Sequence, residues 1–515
     1  YYISLLKKWV RSPYSTSKLK SVFKYITKKQ LIKDLVREKI LYLDGEGKLI
    51  DKWNRKYEEL YDERPKIFSV SPSGQYSAFV RFNVYSPHEI LVDVWNDKEM
   101  YDSFINFYNG LLGENDYCFV TGKYLPTTER HANKIRTSGD KAKLISANDK
   151  SGFTFRGRFS HSHEAVSISY EASQKAHNAL KWLIQRQGKM VDNRVFLIWS
   201  NEEVETLDVM DDGFSLQSIL YGNSNEEMKL SFTNEEFAQE FSKAIDGYKH
   251  DLSTKANVSI LVLDSATIGR MAVLYYRNLD KEMYFERLKQ WHTTCFWLHR
   301  YRRDAEGNYV DFFGAPSTRD IAIAAYGENA NNKVVKDLME RMLPCILDGR
   351  KIPEDIIRSA FYRSVNPVGM ETWQWEKTLS ITCALFNKRE GIDVGLNEEI
   401  KDRDYLFGRL LAIADVLERR ALGRDGNRAT NAIRYMNAFS KHPERTWKII
   451  QANLQPYQER LANQGIYLSS LIDEVASKIE YEDFNNKPLS GKFLLGFYSQ
   501  RHELYQKKTN VEERN

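Results

Sequence analysis

VSILVLDSATIGRMAVLYYR spans Val258–Arg277. Its β-branched and aromatic residues lie on both sides of a break near Ala266, so it predicts two strands joined by a short turn. Working upstream, RVFLIWS (Arg194–Ser200) reads as a buried strand. Before it, Ile168, Ala172, Ala176, Ala179, Leu180 and Leu183 recur at three- and four-residue spacing, which predicts a helix through YEASQKAHNALKWLI. Further back, the runs between Ile67 and Trp95 predict strands around a Ser-Pro-Ser-Gly turn, which places Ser73, Gly74 and Gln75 at a loop tip. Downstream, MYFERLKQWHTTCFWLHRY predicts a helix with His292 and His299 on one face among Trp291, Phe296 and Trp297. From about Pro344 the pattern is helical almost to the end. In YLFGRLLAIADVLERRAL, Leu406, Leu410, Ile413, Leu417 and Ala421 form one stripe, and Arg409 and Arg420 return together to another face. After the break LGRDGNRAT come NAIRYMNAFSKH, helices from Glu444 and Tyr467, and a closing helix in SGKFLLGFYSQRHELYQKK. The expected fold is α+β: a mixed α/β body over 1–343, then a C-terminal helical bundle over 344–515.

The chain has 515 residues, 42% hydrophobic and 13% aromatic, which is enough apolar material to exclude a disordered chain. Cys118, Cys295, Cys345 and Cys383 are far apart and form no CxxC pair, pointing to a reduced, cytoplasmic protein. No stretch approaches the roughly 18 apolar residues of a membrane span, and the opening YYISLLKKWV has no signal-peptide core.

The formal net charge of +5 hides segregation. The first forty residues are strongly basic, and a glycine-punctuated loop region over 123–158 carries Lys134, Arg136, Lys141, Lys143, Lys150, Arg156 and Arg158. The C-terminal helices add Arg409, Arg419, Arg420, Arg424, Arg428 and Arg434. The segment 201–249 is acidic and would repel phosphate, so it suits a solvated face or a protein contact. Phosphates require cations, whereas base edges require short polar side chains or Arg on supported loops. Gln75, Ser138 and Asn148 are the candidates for base edges, beside Ser73 and Gly74 in the first loop.

Enzymatic signals are weak. There is no P-loop, GxGxxG, GxSxG, HExxH or paired CxxC. His161 and His163 beside Glu164 offer two imidazoles to a metal, which makes a metal-dependent nuclease or other hydrolase the alternative. They lack a third ligand nearby, however. Asp402 and Asp404 fit the first turn of a helix better than a Mg²⁺ site. The expectation is a chain with no catalytic residue, metal or cofactor.

CFVTGK (Cys118–Lys123), LISANDKSGFTF (Leu144–Phe155), EAVSISYEASQKAHNALKWLI (Glu164–Ile184), RVFLIWS, Val258–Arg277 and Tyr405–Leu422 follow one another in order. The end, KPLSGKFLLGFYSQRHELY, holds Gly496, Phe497, Tyr498, Gln500 and Arg501 in a G-Y-Y-x-Q-R-like pattern. Together these strings resemble the motif series of the type I-C CRISPR Cascade large subunit, the Csd family of Cas8-type subunits. The chain departs from it at Ser265–Arg270, SATIGR, where the family has an NAAR-like string. The resemblance implies a non-catalytic subunit of an RNA-guided surveillance complex. Such a subunit recognises the protospacer-adjacent motif in double-stranded DNA, aids duplex opening, stabilises the R-loop and docks a Cas3-type helicase-nuclease. The implied partners are crRNA, Cas5-type and Cas7-type backbone subunits, the small subunit and target DNA, with no membrane. The acidic segment 201–249 would dock protein, the C-terminal arginines would track the non-target strand, and residues 344–515 would resemble the small subunit. Met370 is the candidate internal start for a separate small subunit.

Overall fold

The computed structural model describes residues 1–512 except 62, 72–73, 86–89, 147–158, 203–206, 222–233, 251–255, 305 and 424–427. The described chain divides into two compact units, Tyr1–His131 with Ser146–Ala176, and Ala132–Ile145 with His177–Asn515. The fold is α+β.

The first unit holds helices α1 (Tyr2–Val10), α2 (Ser17–Ile26), α3 (Leu31–Arg37), α4 (Ile67–Val70) and α5 (Lys98–Asn109), the ribbon β1 (Asn115–Tyr117) and β2 (Tyr124–Pro126), and α6 (Ser162–Ala165). Its small core joins Leu6, Leu19 and Met100, with Trp9 and Phe23 packed against them. Capping fixes the entries of two helices. Thr16 Oγ1 accepts from Leu19 N–H at 3.2 Å, and Asp97 Oδ1 accepts from Glu99 N–H at 2.9 Å. Asp97 also takes the buried Lys18 ammonium at 2.6 Å. The strands expected between Ile67 and Trp95 do not form among the described residues. That stretch is one helical turn, a 3₁₀ turn at Gln75–Ser77 and a single bridge, Asn83 to Asp93. Phe79 and Tyr85, 99% and 82% exposed, find no second layer, and a ribbon that buries neither face is marginal.

Helix α7 (Tyr170–Gln187) leads into β3 (Lys189–Val191) and β4 (Arg194–Ser200), followed by α8 (Gly213–Tyr221) and α9 (Asn234–His250). The hairpin β5 (Asn257–Thr267) and β6 (Arg270–Asp280) completes an antiparallel sheet of order β3-β4-β5-β6. Thr267 pairs with Arg270, so the turn is Ile268–Gly269, two residues beyond the expected break. Helix α10 (Lys281–Thr294) then stops and β7 (Trp297–Arg303) pairs with β8 (Tyr309–Gly314). His292 and His299 therefore sit on different elements, not on one helical face. The helix gives way where Phe296, Trp297 and Leu298 bury almost completely in succession, a pattern that suits a covered strand.

The remainder is helical: α11 (Thr318–Tyr326), α12 (Asn332–Leu347), α13 (Glu354–Ser364), α14 (Thr372–Glu390), α15 (Arg403–Leu422), α16 (Asn431–Lys441), α17 (Pro443–Leu461), α18 (Asn463–Ser477) and α19 (Lys492–Glu512). One hydrophobic core runs from Val191 to Leu504 and includes residues on both sides of position 343. Helix α15 is its axis: every residue from Tyr405 to Glu418 is buried. Asp402 caps it through Asp404 N–H and Tyr405 N–H, and Asp404 lies in its first turn, as expected for these two carboxylates.

Candidate nucleic-acid interface

The second face of the sheet exposes Val195, Leu197, Leu263 and Met271 to a small core that α7 covers with Ile184. Residues Ala132–Ile145 complete that cover by inserting Ile135 and Ala142, 3% and 0% exposed. Burial of these two anchors and a set of polar ties make this part of the basic region an ordered platform. The Arg136 guanidinium grips Asp140 through Nε–Oδ2 at 2.8 Å and Nη2–Oδ1 at 3.1 Å, and reaches Asp264, Ser265 Oγ and the Asn193 carbonyl. Lys134 adopts φ +56° and donates its N–H to the Asp140 carbonyl at 2.9 Å. Lys143 N–H donates to Gly269 O at 3.1 Å, and Met271 N–H donates to Lys143 O at 2.9 Å, which docks the segment on the tip of the β5–β6 hairpin.

Lys134, Ser138 and Lys141 are exposed and Lys143 half-buried. None of the three lysines has an ion-pair partner among the described residues. Arg270 and the 86%-exposed Ile268 stand beside them on the hairpin tip. The structure thus brings together Lys134, Ser138, Lys141 and Lys143. Arg136 is corrected: its side chain is 7% exposed and satisfied by the fold, so it positions the platform and presents no charge to a ligand. Arg270 was not among the sequence candidates; its place became legible only with the turn at Ile268–Gly269, two residues beyond the expected break. Asn148, Lys150, Arg156 and Arg158 lie outside the described residues.

In the first loop, Gln75 is not placed to read a base. Gln75 is 4% exposed, and its amide clamps two backbone segments. Its Oε1 accepts from Tyr42 N–H at 2.8 Å, while Nε2 donates to Tyr42 O at 2.8 Å and Ile50 O at 2.7 Å. A buried amide with these bonds made has no free edge for a nucleobase. Gly74 is needed for the backbone: at φ +87° a Cβ would lie 2.3 Å from Asp51 O. Ser73 lies outside the described residues. The basic N-terminus fares differently, because Lys7, Lys8, Arg11, Lys20, Lys24, Lys28, Lys29 and Lys33 are all exposed on the first unit.

Among the C-terminal arginines, Arg409 is corrected. It is fully buried on α15, and Nε donates to Gln500 Oε1 of α19 at 2.9 Å. Arg420 also turns inward and donates Nη2 to Leu504 O at 2.6 Å. Their shared face meets α19, which packs along α15. Arg419, Arg428 and Arg434 reach the surface, Arg428 beside Glu418 at 3.5 Å. Arg424 lies outside the described residues.

The described histidines are placed as follows. The rings of His161 and His163 stack at 5.5 Å, and Glu164 beside them is engaged as a cap, its Oε2 accepting from Ser160 N–H at 2.8 Å. No group of three or more His, Cys, Asp or Glu among the described residues is placed to hold a metal. Burial pushes His292 down to about 3 and His299 down to about 4, so both are neutral at physiological pH. His299 is held between Ser380 Oγ at 3.0 Å and the Gly314 carbonyl at 3.2 Å.

Residues 1–505 match the family model described as CRISPR-associated protein (Cas_Csd1). The chain belongs to this family. The match spans nearly its whole length and agrees with the resemblance to the type I-C large subunit carried by the ordered strings. No curated protein matches the chain. The platform presents Lys134, Lys141, Lys143 and Arg270 on backbone tied to the sheet, and cations held in this way have the chemistry that phosphate requires. No helix among the described residues is long and apolar enough to cross a membrane.

Proposed function

We propose that this chain is the non-catalytic large subunit of a cytoplasmic type I-C surveillance complex. In that complex guide pairing reads the target, while this subunit reads the protospacer-adjacent motif in duplex DNA, aids opening and holds the R-loop. Its partners are the crRNA-bearing Cas5-type and Cas7-type backbone, the small subunit and the Cas3-type helicase-nuclease. The acidic 201–249 segment is the proposed protein-docking face, and residues 344–515 the part akin to the small subunit. The family match over residues 1–505 carries this reading. The platform supports its DNA-binding part, in which Lys134, Lys141 and Lys143 grip phosphates and Ser138 approaches base edges; Asn148 is proposed as a base-edge contact on the sequence reading alone.

The test is the triple variant Lys134→Glu/Lys141→Glu/Lys143→Glu in the assembled complex, titrated with duplex target at several salt concentrations. Each phosphate contact contributes about 0.9 to the slope of log affinity against log salt. The variant is expected to lose affinity for every motif alike and to flatten that slope by about 0.9 for each contact removed. Unchanged affinity and slope would remove the platform from the interface.

A further inference from the structure

Arg409 carries a charge that no side chain around it neutralises. It is fully buried on α15, and of its guanidinium only Nε is bonded, to Gln500 Oε1 of α19 at 2.9 Å. Nη1 and Nη2 have no hydrogen-bond partner among the described residues. Glu398 and Glu474 act on the charge only from a distance, and Glu474 already holds Lys478 at 2.7 Å. Three other buried cations each meet a carboxylate: Lys18 meets Asp97 at 2.6 Å, Lys336 meets Asp192 at 2.9 Å, and Arg194 meets Asp337 at 2.8 Å and both Asp264 and Glu340 at 3.0 Å. A guanidinium stays protonated in a protein, and one buried without a counter-charge is strongly destabilising. The neighbouring groups are hydroxyls. Tyr405 lies one turn before Arg409 on the same stripe of α15, close enough to sense its charge. The Ser499 hydroxyl, fully buried beside Gln500 on α19, approaches Tyr405 and completes no hydrogen bond among the described residues.

We propose that Arg409 Nη1 and Nη2, with the Ser499 hydroxyl, hold a monatomic anion, chloride in the cell, inside the seam between α15 and α19. Size selects the class of ligand. Every residue from Tyr405 to Glu418 is buried, and at Gly408 and Gly496 the helix backbones approach so closely that a Cβ would fall 2.0 Å or 2.1 Å from a main-chain oxygen. Such a seam has no passage for a phosphate or a carboxylate ligand. A water molecule would satisfy the N–H groups but leave the charge without an opposite. A halide does both, and it ties α15 to the closing helix at the string Gly496–Arg501.

The experiment follows thermal unfolding of the full chain in sodium chloride, bromide or gluconate at equal ionic strength, gluconate being too large to enter the seam. The wild type is expected to melt higher in either halide than in gluconate, and the difference should grow with halide concentration and level off as the site fills. Arg409→Met keeps a long side chain and removes the charge, so it is expected to melt alike in all three salts. Equal melting of the wild type in the three salts would overturn the proposal. An Arg409→Met variant that keeps the halide difference would also overturn it, by showing a general effect of salt. Crystals of the wild type grown in bromide give a readout that needs no variant. An anomalous peak within hydrogen-bond distance of Nη1 or Nη2 supports the site, and a water or a side-chain oxygen in that position overturns it.

Discussion

Gly408→Ala is expected to lower the unfolding free energy of the second unit by about 3 kcal/mol, the upper end for overpacking a core. Helices α15 and α19 cross with their backbones in contact. A Cβ at Gly408 would fall 2.0 Å from Phe493 O and 2.8 Å from Phe497 N, and one at Gly496 would fall 2.1 Å from Tyr405 O. The obstruction is backbone on both sides, so no side-chain rotation can relieve it. The helices must separate, and that would loosen the Arg409–Gln500 bond and the surrounding core. Urea titration followed by tryptophan fluorescence should show a lower midpoint with little change in slope. Because both glycines serve one crossing, Gly408→Ala/Gly496→Ala should cost less than the sum of the single changes. An unchanged midpoint for Gly408→Ala would mean that the helices do not meet there.

Asp320→Asn is expected to cost about 3–5 kcal/mol, the range for breaking a buried charge network by removing one partner. Asp320, 4% exposed at the start of α11, receives Arg302 Nη2 at 2.6 Å, Lys377 Nζ at 2.7 Å and Ser317 Oγ at 2.6 Å. Arg302 keeps Asp212 at 2.6 Å, but Lys377 would be left with Glu328 at 3.9 Å and the Tyr301 ring at 5.2 Å. Burial pushes the Asp320 carboxyl up. Lys377 and Arg302 outweigh it and hold the group below its ordinary 3.8. A depressed folded value means that the stabilisation is complete above the unfolded value and disappears as pH falls through the folded one. The melting temperatures of wild type and Asp320→Asn should therefore differ fully at neutral pH and converge below about pH 4. A difference independent of pH would assign the loss to packing alone.

Where covered apolar pattern decided local structure, the residues announced it. RVFLIWS is β4 residue for residue, the hairpin Val258–Arg277 is β5–β6, and the closing helix begins at Lys492 within the predicted string. Where exposure decided, they did not. The stretch 67–95 has strand composition, but Tyr76, Phe79 and Tyr85 stay exposed while Phe68 is buried from a helical turn. Periodicity placed Arg409 and Arg420 on one face correctly; it could not say that α19 occupies that face. Arg136 illustrates the same limit. A basic loop carries some arginines for ligands and others for itself, and only Asp140, Asp264 and Ser265 gathered around its guanidinium distinguish the two. Lys134 and Lys141 stay exposed, and Lys143 half-buried, because the apolar anchors Ile135 and Ala142 turn inward between them.

In the proposed function this chain works inside an RNA-guided particle and cuts nothing itself. Its most direct test is purification of the tagged full chain from cells that also express the CRISPR RNA and the partner subunits, followed by extraction of bound nucleic acid and incubation with duplex target and Mg²⁺. The account predicts an RNA of discrete length in a multi-subunit particle that binds the target and leaves it intact. A chain recovered alone, free of RNA and able to hydrolyse DNA, would contradict it.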